Sequence, residues 1–129
     1  MSTAPPPASL HIQAPLAPFM RYAQALDAVG DADVVDALLP VLLQTLDDDV
    51  LRLDAAFETS QLPTACAVLH GLKGVLPMFC SAELAGQIVA LETQSKSGDA
   101  AAACAHWPGL RANLLFLREE VRVIIEKAV

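Results

Sequence analysis

The sequence predicts an all-α protein, an antiparallel four-helix bundle with a short extra helix at its N-terminal end. Apolar residues make up 54% of the chain but aromatic residues only 5%, and an apolar content dominated by Ala and Leu favours helices over strands. Apolar residues recur at steps of three and four through four segments, which is the helical period. No segment alternates like a β-strand, and a length of 129 residues indicates one domain.

The N-terminal segment differs in composition from the rest of the chain. Five of the nine prolines lie within the first 18 residues, and proline-rich segments are extended and poorly packed. We therefore predict that residues 1–15 form a flexible tail and that residues 16–129 form the bundle. A short helix is predicted at 18–28, and Gly30 should end it.

The four long helices follow in order. The first is predicted at 32–58, where Pro40 should kink it or mark its first turns. The second is predicted at 63–79, with Pro63 in its first turn. Short connections between such helices favour antiparallel packing.

The last two helices have recognisable N-caps. Ser81 should cap a helix at 82–96 and Asp99 the final helix, which runs to about residue 127. Pro108 is expected to bend or restart this final helix. Trp107, next to it, is predicted to lie in the core.

Charge and cysteine content exclude several classes of function. The formal net charge is −7, which argues against a nucleic-acid-binding protein and against docking on anionic membranes. Cys66, Cys80 and Cys104 are an odd number without the spacing of a zinc site or a disulfide framework. Free thiols in a cytoplasmic protein are the simplest interpretation.

His70 is the candidate functional residue. The helix at 63–79 carries an apolar stripe of Ala65, Leu69, Leu72, Leu76 and Phe79. At about 100° per residue, His70 points about 140° away from the centre of that stripe. If the stripe is buried, the imidazole must therefore face solvent.

The residues that share the outer face with His70 point to a protein partner. Lys73 and Gly74 flank the ring at i+3 and i+4, and a lysine there can balance the charge of a phosphoryl group. Gly71 and Gly74 both weaken the helix, and bare backbone allows close approach of another protein. Close packing of these glycines against a neighbouring helix is the alternative explanation. Three further residues of this face are predicted to contact a partner: Cys66, Ala67 and Pro77.

A neutral imidazole is a good nucleophile near pH 7, so this face can carry a phosphoryl group. The sequence shows no glycine-rich phosphate loop of the nucleotide-binding type. We therefore expect no ATP site and no enzyme activity of the kinase type.

The stretch CAVLHGLKGVLPMFCSAELAGQIVALETQSKSGD resembles the core of the histidine-phosphotransfer domains of bacterial phosphorelays. Its H-x-L-K-G element is His70, Leu72, Lys73 and Gly74. The LE and GD pairs that follow in the family are matched by Leu91-Glu92 and Gly98-Asp99. Together with the similar preceding helix, the resemblance covers about residues 20–125.

The resemblance implies a phosphoprotein of two-component signal transduction. His70 would be the phosphoacceptor, Lys73 would screen charge, and Gly74 would admit the partner. The partners would be response-regulator receiver domains and a hybrid sensor histidine kinase. A receiver would supply the aspartate and the Mg²⁺, so that this chain binds no cofactor or metal itself.

Three positions depart from the family pattern. Pro77 removes a helical N–H, so a kink or an early end of the helix is expected there. Cys80 stands where the family usually has a helix-ending glycine, and Gly71 where a small polar residue is common. These changes bear on docking of the partner, whereas the nucleophile is retained.

Other interpretations remain open. The bundle could bind a receiver or kinase without accepting phosphate, as an adaptor. Cys66 and His70 share a face and could bind a metal, although two ligands are too few for a structural zinc site. Redox modulation through the Cys66 thiol is a further alternative. His11 in the tail and His106 lack the cation-flanked setting of His70.

Overall fold

The computed structural model describes residues 18–128; the predicted tail at 1–15, including His11, lies outside them. Within this range the chain forms five α-helices and a short 3₁₀ turn. The elements are α1 (Tyr22–Val29), α2 (Ala32–Glu58), α3 (Leu62–Val75), the 3₁₀ turn (Leu76–Met78), α4 (Ala82–Lys96) and α5 (Ala100–Lys127). The all-α prediction is confirmed.

Helices α2 to α5 form the bundle. Helix α2 packs on α3 and α5, and α4 also packs on α3 and α5, so the four helices close a ring around one core. The apolar stripe predicted for α3 is buried throughout. Helix α1 packs across α2 and the 3₁₀ turn, as expected for a short helix at one end.

The helix ends follow the predicted caps. Gly30 ends α1 in the left-handed conformation, with φ of 84°. The Ser81 and Asp99 side chains accept hydrogen bonds from the N–H groups of Leu84 at 3.3 Å and Ala102 at 3.1 Å. Each N-cap thereby satisfies a donor that the first helical turn leaves free.

The start of α1 differs from the prediction, because residues 18–21 are not helical. Met20 forms an isolated bridge with Cys80, and the N–H groups of Phe19 and Met20 each donate to Glu120 Oε1 at 3.0 Å. These long-range contacts hold the segment extended against α5 and the α3–α4 connection.

The prolines act differently from one another. Pro77 lies in the 3₁₀ turn and α3 ends at Val75, which confirms the predicted early end of this helix. Pro108, by contrast, lies inside a continuous α5, and the expectation that it restarts the helix was wrong. Buried Trp107 and Leu110 on either side hold α5 against the core, and their packing offsets the lost hydrogen bond.

Trp107 lies in the core as predicted. It stacks on Phe57 with ring centroids 5.5 Å apart, and its indole N–H donates to Asp54 Oδ1 at 2.8 Å. Asp54 also accepts from Arg111 Nε at 2.9 Å. A second ion pair, Asp47 with Arg118, joins the same two helices, so α2 and α5 are linked by polar contacts as well as by apolar packing.

Candidate functional site

His70 lies on the outer face of α3, where its side chain is 68% exposed. Leu69 and Leu72, on either side of it in the buried stripe, have no exposed surface. The prediction that the imidazole faces solvent is confirmed. The same geometry that buries the leucines therefore presents the ring to other molecules.

Glu92 of α4 lies directly beside the ring. Its side chain is only 3% exposed, and its Oε2 is 3.1 Å from His70 Nδ1. Lys73 Nζ lies 2.8 Å from Oε1, and Lys96 Nζ lies 3.4 Å from Oε2. One buried carboxylate thus connects the histidine to two lysines from two helices.

The environment keeps Glu92 ionised. The hydrogen bond from Lys73 is the largest influence, burial opposes it, and the contact with His70 adds to it, so that the pKa of Glu92 falls to about 2. An ionised carboxylate only accepts hydrogen bonds. The Nδ1 atom of His70 must therefore carry the proton, which leaves the lone pair of Nε2 free in the neutral ring.

Sequence reasoning did not assign a role to Glu92. No Asp or Glu lies within four residues of His70 along the chain, and Glu92 reaches the ring from the neighbouring helix. A signal was present, since Glu92 follows Ile88 by four residues and lies in the buried register of α4. A charged residue on a core-facing stripe requires a partner, and here the partners are Lys73, Lys96 and His70.

The glycines beside the ring border open space. A Cβ atom added at Gly71 or Gly74 would meet no atom within 4 Å other than its chain neighbours and the nearby backbone of its own helix. The alternative that these glycines allow close packing against a neighbouring helix was therefore wrong. Ala67, Gly71, Gly74 and Pro77 are exposed, and Cys66 is half-buried.

The other candidate residues do not join this site. His106 is exposed on α5, with Nδ1 at 2.8 Å from Gln94 Oε1. Cys80 is buried, and burial raises the pKa of its thiol to about 11. Within residues 18–128, no group of three or more His, Cys, Asp or Glu side chains is arranged to hold a metal ion.

A family model for the Hpt domain matches residues 37–124, about two thirds of the chain. The chain belongs to the Hpt family. This match includes His70, Lys73, Gly74 and Glu92 and covers nearly the whole bundle. No curated protein matches the chain significantly, and no solved structure does.

Membership of the Hpt family gives the domain a phosphotransfer-related role in two-component signalling. Hpt domains interact with receiver domains and kinases in phosphorelays, so proteins of these two classes are the partners of the family. Among the described helices of this Hpt domain, none has both the length and the apolar composition of a membrane span.

The low pKa of Glu92 predicts how stability depends on pH. In the unfolded chain this carboxyl has a pKa near 4.5 and in the folded domain about 2, so the unfolded state binds more protons between these values. Above pH 4.5 the contribution of Glu92 to the free energy of unfolding is fully present, and it is lost as the pH falls towards 2. We expect the difference in stability between wild type and Glu92→Gln to shrink over this range.

Urea unfolding at pH 6, 4 and 3, followed by circular dichroism, measures this difference. Glu83→Gln, which changes an exposed acid in the first turn of the same helix, is the matched control. Parallel pH profiles for wild type and Glu92→Gln would contradict the ion-pair assignment.

Proposed function

We propose that this Hpt domain is a phosphorelay intermediate that accepts a phosphoryl group on His70 from a receiver-domain aspartate and passes it to another receiver. The observation that carries this proposal is the exposed imidazole whose Nδ1 is held by a buried, ionised Glu92. A hybrid sensor histidine kinase would stand upstream. The cytoplasm is the proposed compartment, in keeping with three free cysteines.

The proposed step is an in-line displacement. The lone pair of His70 Nε2 attacks the phosphorus of the phosphoaspartate, the P–O bond to the aspartate breaks, and the electron pair leaves with the carboxylate. The proton stays on Nδ1, and the positive charge that develops on the ring is balanced by Glu92 at 3.1 Å. Transfer to the second receiver is the reverse of this step.

The partner would supply the metal-dependent part of the catalysis. We place the Mg²⁺ in the receiver, where it would neutralise the phosphoryl oxygens. This chain would take its phosphoryl group from protein partners and not from ATP, and it would act as a carrier rather than as an enzyme.

Lys73 and Lys96 would balance the charge of the transferred group. In the unmodified protein both ammonium groups pair with Glu92. A phosphoryl group on Nε2 carries roughly two negative charges and would place them near these flexible side chains. Either lysine could turn towards it. Glu92 would thus keep both ammonium groups close to the ring until the phosphoryl group arrives.

The surface around His70 suits an acidic, phosphorylated partner. Residues 22–58 contain nine acidic and one basic side chain, whereas residues 62–96 contain two of each. Within the described residues 62–96, the exposed large apolar side chains are Val75 and Val89, each 43% exposed. An anionic receiver site is therefore repelled by α1 and α2 and finds a neutral, partly apolar surface on α3 and α4.

The experiment that tests the proposal is phosphoryl transfer from a phosphorylated receiver domain to the full chain. We expect label that is acid-labile and alkali-stable, as a phosphohistidine is. Absence of label while the receiver still binds would overturn the relay role and favour the non-phosphorylated adaptor.

Lys73→Ala should slow transfer by roughly threefold to tenfold, about 0.7–1.4 kcal/mol at the barrier, without abolishing it. One of the two cations is lost, while Lys96 stays within 3.4 Å of Glu92. Rapid-quench transfer kinetics measure the change, and Lys127→Ala, a lysine at the far end of α5, is the control. An unchanged rate would remove Lys73 from the mechanism.

Gly74→Ala should change the stability of the domain and its binding to the receiver in opposite directions. The added methyl group meets no side chain and no neighbouring helix, so the free energy of unfolding should rise by about 0.5–1 kcal/mol. The same methyl would stand between the partner and the ring, and we expect weaker receiver binding and transfer slowed severalfold. Gly109→Ala, at an equally open position on α5, should leave transfer unchanged; equal rates in the two variants would argue against close backbone approach.

A further inference from the structure

A shallow apolar groove runs along the outward face of α5. Its volume is about 480 Å³. Leu115, near its centre, is 36% exposed within the described residues 18–128. An apolar surface presented by a single helix suits the docking of another helix. All of the lining residues come from α5, namely Pro108, Arg111, Ala112, Leu115, Phe116 and Glu119.

The lining residues have the spacing of a helix that packs against a second helix. Side chains at i, i+3, i+4 and i+7 form a hole that receives one side chain of a facing helix. In the first half of the groove these four are Pro108, Arg111, Ala112 and Leu115. Because an alanine is the smallest of them, this hole can admit a side chain of the size of leucine.

The same face carries a leucine that would fill such a hole. When two α5 helices pair antiparallel about a two-fold axis midway between Ala112 and Leu115, Leu115 of each copy lies opposite Ala112 of the other. Each copy then supplies one inserted side chain and one hole, as a closed isologous dimer requires. A parallel pair would place Leu115 against Leu115 and leave the hole at Ala112 unfilled.

The charges along the groove favour the same arrangement. The antiparallel register brings Glu119 next to Pro108 of the second copy and within one helical turn of its Arg111. The Arg111 side chain is 43% exposed and binds Asp54 through Nε, so its terminal N–H groups can donate to a second carboxylate. Two-fold symmetry would form this ion pair twice, once at each end of the contact.

Helix α5 is better suited than α2 to meet a second acidic chain. Val41 and Leu51 of α2 are more exposed than Leu115, but residues 32–58 carry seven acidic and one basic side chain. Residues 100–127 carry three acidic and four basic side chains. Since each chain has a formal net charge of −7, two copies meet less repulsion at α5 than at α2.

We propose that the outward face of α5 is the interface of a homodimer, in which two copies pack their α5 helices antiparallel with Leu115 of each copy in the groove of the other. His70 lies on α3, whereas α5 packs on α2 and α4, so both imidazoles stay accessible in the dimer. The contact is smaller than the standard interface of about 20–30 residues a side. We therefore expect a reversible dimer with a Kd on the order of 10–100 μM.

Sedimentation velocity of the full chain, from about 5 to 500 μM on either side of the expected Kd, measures the association. We expect the apparent mass to rise from the 13.6 kDa of one chain towards twice that value. Leu115→Glu should weaken the association at least about tenfold, because it removes the apolar side chain that fills the hole. Leu51→Glu, the same substitution at a 67% exposed leucine of α2, should associate like wild type.

A double variant tests the antiparallel register. Ala112→Lys combined with Leu115→Glu places an ammonium group opposite a carboxylate in each half of the antiparallel dimer. It should therefore restore the association that Leu115→Glu alone loses. In a parallel pair the two substitutions would oppose like charges and restore nothing. Far-UV circular dichroism of each variant checks that the helices are intact.

Three outcomes would overturn the proposal. The chain could stay monomeric at every concentration, including the case in which residues 1–17 of the same molecule cover Leu115. Leu115→Glu could associate as wild type does, which would place the interface elsewhere. The double variant could fail to recover association, which would exclude the antiparallel register. Transfer to His70 in Leu115→Glu should equal that of wild type, so failure of the dimer is separable from failure of the relay.

Discussion

The His70→Gln variant is expected to take up no phosphoryl group from a phosphorylated receiver. The amide nitrogen of glutamine is not a nucleophile, because its lone pair is delocalised into the carbonyl group. The transfer rate should therefore fall by more than about a thousandfold, or 4 kcal/mol at the barrier. Because the side chain is 68% exposed and its polar contact is with Glu92, the fold should tolerate the change. The variant should still bind the receiver.

The measurement compares transfer kinetics and acid-lability of the label in three proteins. His106→Gln is the matched control, since it changes another exposed histidine that contacts only Gln94. Wild type and this control should label equally, with His70→Gln blank and its helical circular dichroism unchanged. Label at wild-type level on His70→Gln would place the phosphoacceptor elsewhere in the chain.

The second large effect is expected from replacing Glu92. Glu92→Ala should lower the transfer rate about tenfold to a hundredfold, or 1.4–2.7 kcal/mol, because the ring loses both its orienting acceptor and the charge that balances the imidazolium. Glu92→Gln keeps an oxygen that can accept from Nδ1–H but carries no charge. Its rate should fall between those of wild type and Glu92→Ala.

A structural role alone would also slow transfer, so a second readout is needed. The ¹⁵N shifts of the His70 ring report the tautomer directly. We expect the Nδ1–H form in wild type and a mixture in Glu92→Ala, with partial retention in Glu92→Gln. If Glu83→Gln and Glu92→Ala transfer at equal rates with the same tautomer, Glu92 has no positioning role.

The helix plan was largely predictable because helices are local. Period, N-caps and helix-ending residues lie within a few positions of each other along the chain, so Ser81, Asp99 and Gly30 marked their boundaries correctly. The predictions of helix boundaries were wrong where contacts between residues distant in sequence determine the local backbone conformation. Pro108 stays inside α5 because Trp107 and Leu110 are buried against other helices, and the Phe19 segment is extended because Glu120 binds it.

The candidate site likewise has features set by one helix and features set by contacts between helices. The sequence alone determined that His70 faces solvent with Lys73 and Gly74 beside it, because all three lie on one helix whose buried stripe sets the rotation. Only the tertiary structure decided that Glu92 holds Nδ1 and pairs with two lysines, because that contact spans 22 residues and two helices. The angle between residues on one helix follows from the backbone geometry, whereas the approach of two helices depends on how the whole core packs.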